Sequence, residues 1–222
     1  KDEAGARRLA HLFRALADQL GREFNPDALE EAIVLGNELR RAVKEARDLW
    51  VSGLMDSLSF WDLRVKALTY SPPEAISLLR GACAESRRSP GSKPGIMLSG
   101  GVTVKRALVE LVEGEGFRVV AEDSDIGDRF LLEEIPVGRS VEENLLNLAR
   151  AYLGRPPSPR DLDPERRLQF YRGLIEARKA VGVIFSYYKF CDPALAEYPF
   201  IASHLKGRGI PCLLLEEEDE SL

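Results

Sequence analysis

Sulfur and imidazole are scarce in this chain: three cysteines, two histidines and two methionines among 222 residues. Cys83, Cys191 and Cys212 are odd in number and irregularly spaced, which argues against a disulfide framework and fits a reducing cytoplasm. With only His11 and His204, both on segments of helical periodicity, there is no histidine set for a zinc site. An excess of basic charge is missing too. The net charge is −5 and Lys and Arg are scattered, so nothing electrostatic points to nucleic acid as a partner. No apolar run reaches the roughly 20 residues a membrane span needs, and no signal-peptide core opens the chain. No membrane partner is therefore expected, and the expected location is cytoplasmic. The one dense charge run, Glu216 to Glu220, is acidic and reads as a solvated tail. The chain opens on Lys1 rather than Met and stops just past that run, so it reads as a piece of a longer polypeptide.

What is present is the material of an ordinary globular protein, 45% hydrophobic and 30% charged. Residues 1–90 read as helix. Leu9, Leu12, Phe13, Leu16 and Leu20 recur at helical spacing until Gly21. Asn25 then offers an N-cap with Pro26 at the first helical position, and Leu29, Ile33, Leu39, Val43, Ala46 and Trp50 mark a long amphipathic helix to about Ser52. Two shorter helices are predicted near 56–68 and 73–87. Together they form a helical layer that needs something to pack on.

The stretch RRSPGSKP (87–94) breaks the pattern. Beyond it, four short apolar runs, GIMLSG (95–100), FRVVAE (117–122), VGVIFSYY (181–188) and IPCLLLE (210–216), alternate with helical stripes. Parallel strands joined by helical crossovers follow from that alternation. The predicted fold class is therefore α/β: residues 91–222 form a small doubly wound, flavodoxin-like parallel sheet of about four strands, order 2-1-3-4, preceded by the helical segment 1–90.

Ligands of such sheets bind outside the carboxyl ends of the strands. Those ends carry Ser99-Gly100-Gly101, then Glu122-Asp123-Ser124-Asp125 with Arg129, then Tyr187 to Asp192. Backbone N–H groups of the Ser-Gly-Gly turn suit an anion if a helix starts there; a plain tight turn is the other reading. EDSDIGDR either holds a divalent cation through its carboxylates or forms a capped loop in which Arg129 pairs with Asp123 or Asp125. Cys83 and Cys212 read as inert core cysteines. Cys191 differs: it directly follows the third strand and precedes Asp192-Pro193, a helix-start signal that would hold the thiol at the strand edge. Lys189 places a positive charge two residues away, which suits metal ligation. One cysteine cannot hold a cluster alone, so any partners would come from elsewhere.

The segment YKFCDPALAEYPFIASHLKGRGIPCLLLE (188–216) is similar to the carboxyl-terminal signature of the 2-hydroxyacyl-CoA dehydratase and benzoyl-CoA reductase family. NPDALEEAIVLGNELRR (25–41) resembles that family's long helix with its Asn-Glu-x-Arg element, and IMLSGG, RVVAEDSDIGDR and YLGRPPSPR follow in the family's order. The resemblance covers nearly all of this chain but only the second half of a family subunit, and it implies that an amino-terminal domain is absent. It implies further that Cys191 is one thiolate ligand of a 4Fe-4S iron–sulfur cluster lying between two domains, the other ligands coming from the absent domain. No cluster is then expected in this fragment alone. The implied partners are a paralogous sister subunit, an ATP-dependent activator protein and an acyl-CoA substrate. The implied reaction is reductive loss of water from a 2-hydroxyacyl-CoA through a ketyl radical anion, giving an enoyl-CoA.

Two positions depart from the family's pattern. Relatives often carry Cys where this chain has Asp125-Ile126, and again where it has Ser158. Three other readings therefore stand beside the dehydratase: a ring-reducing subunit of the benzoyl-CoA reductase type, a non-catalytic electron-relay or partner subunit, and a flavodoxin-like domain binding an anionic ligand at Ser99. Substrate or anion contacts are expected from Ser99, Gly100, Gly101, Asp123, Arg129, Tyr187 and Lys189.

Overall fold

The computed structural model describes residues 3–86, 92–130, 133–161 and 163–218. Four helices come first: α1 (Glu3–Gln19), α2 (Pro26–Ser52), α3 (Ser57–Thr69) and α4 (Pro72–Glu85). Then β1 (Gly95–Ser99), α5 (Arg106–Gly114), β2 (Arg118–Asp123), α6 (Val141–Leu153), α7 (Pro164–Arg178), β3 (Ala180–Tyr188), α8 (Asp192–Lys206) and β4 (Cys212–Glu217) alternate. The helix boundaries have local causes. Asn25 accepts hydrogen bonds from the N–H groups of Asp27 and Ala28, and Gly53 closes α2 in the left-handed conformation, φ 81°. Of the break at 87–94, residues 87–91 lie outside the described residues, as do 219 and 220 of the acidic run.

All strand pairs are parallel, in the order β2-β1-β3-β4 expected from the sequence. In register, Ser99 faces Asp123 on one side and Phe185 on the other, which brings the β1, β2 and β3 ends together. β1 is buried along its whole length, as a strand covered on both faces must be. One face packs on the layer of α2 to α5, where Trp50, Phe60, Leu63 and Leu79 meet Ile96, Leu98 and Val119. The helical layer and the sheet thus share one core, with Trp50 and Phe60 stacked at 4.6 Å. The other face packs on α7 and α8, with Met97, Val120, Phe185 and Tyr171 at its centre. α1 lies apart from the sheet, against α6. Arg178, the last residue of α7, donates to the Val120 carbonyl on edge strand β2 at 2.9 Å, covering a group an edge strand would leave open. No helix among the described residues is long and apolar enough to cross a membrane.

Candidate functional site at the carboxyl edge of the sheet

Where β1, β2 and β3 end, their polar residues converge, and they converge inward. Asp123 is fully buried. Its Oδ2 accepts from Tyr171 OH at 2.5 Å and from Arg167 Nη2 at 2.7 Å; its Oδ1 accepts from Arg167 Nη1 at 3.2 Å. The Ser99 hydroxyl lies 2.6 Å from Tyr171 OH, 2.9 Å from Tyr187 OH and 3.2 Å from Asp123 Oδ2. Arg167, also fully buried, turns its Nε to Glu197 on α8 at 2.7 Å and donates to the Pro157 carbonyl at 3.0 Å. Arg129 approaches Asp123 at 2.8 Å and Asp125 at 3.1 Å, although its Nε–H is not aligned for a hydrogen bond. Two guanidiniums and two carboxylates, with one further carboxylate toward solvent, therefore form a nearly neutral knot that ties β2, α7 and α8 together.

The electrostatics follow from that geometry. Burial alone would raise the Asp123 pKa, but the charges of Arg167 and Arg129 and the hydrogen bonds from Arg167 and Tyr171 hold it below the usual value. Burial beside the same carboxylate pushes Tyr171 well above an ordinary phenol and Tyr187 up to about 12. Glu197 is raised, chiefly by burial and against the pull of Arg167.

A second knot holds the loop after β2. Glu122 pairs with Arg64 of α3 at 2.6 Å and accepts from Ser124 Oγ at 2.5 Å. Asp128 accepts from the Glu122 N–H at 2.9 Å and takes both Nη groups of Arg178. Gly127 is required here, since a Cβ would fall on the Glu122 carbonyl oxygen. EDSDIGDR thus takes the form of the capped loop, with Asp123 and Asp125 paired with Arg129 and Asp128 with Arg178. Among the described residues no group of three or more His, Cys, Asp or Glu side chains is arranged to hold a metal ion.

The Ser99-Gly100-Gly101 turn does not open a helix directly. α5 begins at Arg106, five residues beyond Gly101. The Gly100 N–H is taken by the Asp123 carbonyl at 2.8 Å, and Gly101 has open space around it. Ser99, Asp123 and Tyr187 are buried within the knot.

Cys191 occupies different ground. It is the N-cap residue of α8, half-buried at the margin of the apolar cluster that contains Phe185, Tyr187 and Ala194. Its N–H donates to the Tyr188 carbonyl at 3.1 Å, and no side chain caps α8, so the positive end of that helix lies at the thiol. Phe190, just before it, has φ 66° and is 90% exposed. Lys189 pairs with Glu218. The other thiols are elsewhere. Cys83 packs on the core beside α2 to α4, and Cys212 opens β4 opposite Val183, about 16 Å along the sheet from Tyr188 at roughly 3.3 Å per residue. The chain therefore offers one thiol at this edge. Asp125 and Ser158, the two positions that depart from the family pattern, line one cleft of about 480 Å³ together with Arg129 and Arg166.

Sequence reading missed Arg167, Tyr171 and Glu197. The i, i+4 spacing of Arg167 and Tyr171 on α7 was visible, but nothing in it identified Asp123 as their partner.

A doubly wound sheet with a helical layer and a single thiol capping the helix after β3 defines the class of protein. The chain belongs to the 2-hydroxyglutaryl-CoA dehydratase, D-component family, whose model it matches over residues 3–221. It is 25% identical over 226 residues to a benzoyl-CoA reductase subunit from Thauera aromatica, covering 96% of this chain and 57% of that one. It is 24% identical over 228 residues to the (R)-phenyllactyl-CoA dehydratase beta subunit of Clostridium sporogenes, covering 98% of this chain and 60% of that one. The chain thus spans less than two thirds of the length of either relative.

Proposed function

We propose that this chain is part of a subunit of a cytoplasmic 2-hydroxyacyl-CoA dehydratase, and that Cys191 is its ligand to an iron–sulfur cluster completed by thiolates outside this chain. The position of Cys191 carries the reading. It is the one cysteine at the carboxyl edge of the sheet, next to the positive end of α8, in a family whose members handle acyl-CoA thioesters. One thiolate from this chain fits a shared cluster and would not fit a self-contained one. When bound, such a cluster supplies one-electron chemistry and an electrophilic iron to a thioester. The chain's own residues contribute rigidity and shelter. Arg167 and Glu197 lock α8 to α7, which fixes where its N-cap sulfur points, and exposed Phe190 and Tyr188 offer apolar surface to exclude water from a neighbouring site. A sister subunit, an ATP-dependent activator and an acyl-CoA substrate are the partners this reading requires.

A ring-reducing role has its own support, because the relative from Thauera aromatica is as similar as the dehydratase subunit. Anaerobic purification of the complete complex, wild type and Cys191→Ser, tests the ligand assignment. The variant is expected to lose the visible absorbance of the cluster and nearly all turnover, while Cys212→Ser keeps both. A full cluster with normal rates in Cys191→Ser would sink the assignment. Assay of a 2-hydroxyacyl-CoA against an aromatic acyl-CoA separates dehydration from ring reduction.

A further inference from the structure

Beside the second strand-edge knot, whose Arg64 forms part of the wall, a cleft opens between α2 and α3, closed on its far side by Phe130 and by Tyr152 and Arg155 near the end of α6. Its volume is about 120 Å³, and Leu39, Val43, Leu68 and the two rings give it apolar walls. That is somewhat below the roughly 150 Å³ of an apolar cavity that accepts benzene, so the cleft admits one small ring at most, with its polar group toward the mouth.

Two guanidiniums, Arg40 and Arg155, stand at the cleft. Arg155 lies between the rings, its Cζ 4.4 Å from the Tyr152 centroid and 5.2 Å from that of Phe130, and its Nε is buried without a hydrogen-bond partner. Arg40 donates to Asn37 Oδ1 at 3.2 Å. Among the described residues neither has a carboxylate within ion-pair distance; Glu134, the acid whose field reaches Arg40, is held by Arg41 at 2.5 Å. The third arginine on the wall, Arg64, is already neutralised by Glu122. Burial lowers the Arg40 pKa and the Arg155 charge lowers it further, against the influence of Tyr152. Half-buried like charges facing one another are costly unless an anion joins them, and planar guanidiniums match carboxylate and phosphate oxygens. Gly36 reinforces the arrangement. It is a poor helix former inside α2, and an added Cβ would sit 2.9 Å from Arg40 Nη1, so the guanidinium would have to shift from its present place.

We propose that this cleft binds a compact aromatic oxyanion, a carboxylate or a phosphate monoester held by Arg40 and Arg155 with its ring lodged against Leu39, Val43 and Leu68. A thioester carbonyl by itself is uncharged and would leave both arginines unmatched, so the ligand must carry a carboxylate or phosphate group of its own. The site shares no residue with the Cys191 edge and stands whether or not Cys191 holds a cluster.

Calorimetric titration of the purified protein with benzoate and with phenyl phosphate tests it. At least one is expected to saturate a single site, with benzyl alcohol and inorganic phosphate at least tenfold weaker; the preferred probe identifies the oxyanion. Arg40→Gln and Arg155→Gln are each expected to weaken binding at least tenfold, and Arg40→Lys less than Arg40→Gln. Gly36→Ala is expected to weaken it at least fivefold while the thermal midpoint stays level or rises, which separates binding from folding. No saturable binding of either probe, or affinities unmoved by Gly36→Ala and both glutamine variants, overturns the site. Inorganic phosphate binding as tightly as phenyl phosphate overturns the role of the ring.

Discussion

Asp123 at the end of β2 and Cys191 just past the end of β3 share one edge of the sheet and differ in nearly every local property. Asp123 is fully buried, and each of its oxygens meets a guanidinium. Cys191 is half-buried, caps its helix without a side-chain hydrogen bond, and follows an exposed phenylalanine in a left-handed conformation. A buried charge persists only where its partners are complete, so the β2 end is closed by its own chemistry. Strain and exposed apolar surface persist where something other than local stability holds them, and that is the condition of the β3 end. Polar density at a strand end thus marked the scaffold here, and sparse polarity beside a lone thiol marked the candidate site.

The comparison can be tested by breaking the closed side first. Arg167→Met leaves Asp123 and Glu197 without their shared cation, and a loss of about 3–5 kcal/mol is expected in urea unfolding. A loss under about 1 kcal/mol would mean the knot does not hold the β2 end together. Gly127→Ala forces a methyl onto the Glu122 carbonyl, a backbone group that cannot step aside, and should cost about 1–3 kcal/mol by the same measurement.

Next comes pH. The Asp123 pKa is depressed in the folded state, so its contribution is present above the unfolded value of about 3.9 and is lost as pH falls through the folded value. Tyr187 is raised, so its contribution is present below about pH 10 and is lost as pH rises from there through about 12. Tyr187→Phe should reduce the alkaline slope of stability by one proton over that window, and an unchanged slope would remove Tyr187 from the knot.

The smallest effect belongs to the open side. Phe190→Asn places a residue that tolerates φ > 0 where the ring now sits exposed, and should raise stability by about 1 kcal/mol in thermal unfolding. A clear destabilisation would show that the ring packs within this chain after all.

Helices, strands, their order and the position of Cys191 were determined by local pattern. Apolar spacing of 3.6 or continuous apolar runs, capping residues such as Asn25, and Pro193 after the thiol act over a few residues, and their effect survives in any context that buries one face. Asp125, Arg129 and Asp123 were near enough in sequence for pairing to be one of two readings. Only the tertiary structure decided that Ser99, Asp123 and Tyr187 face inward, that Arg167 and Glu197 complete them, and that Arg40 and Arg155 meet at one cleft. Arg167 and Glu197 come from α7 and α8, more than 40 residues from Asp123 in the chain, and Arg40 and Arg155 come from α2 and the end of α6. A charge's surroundings are set by what packs on it from all sides, and no spacing along the sequence records that.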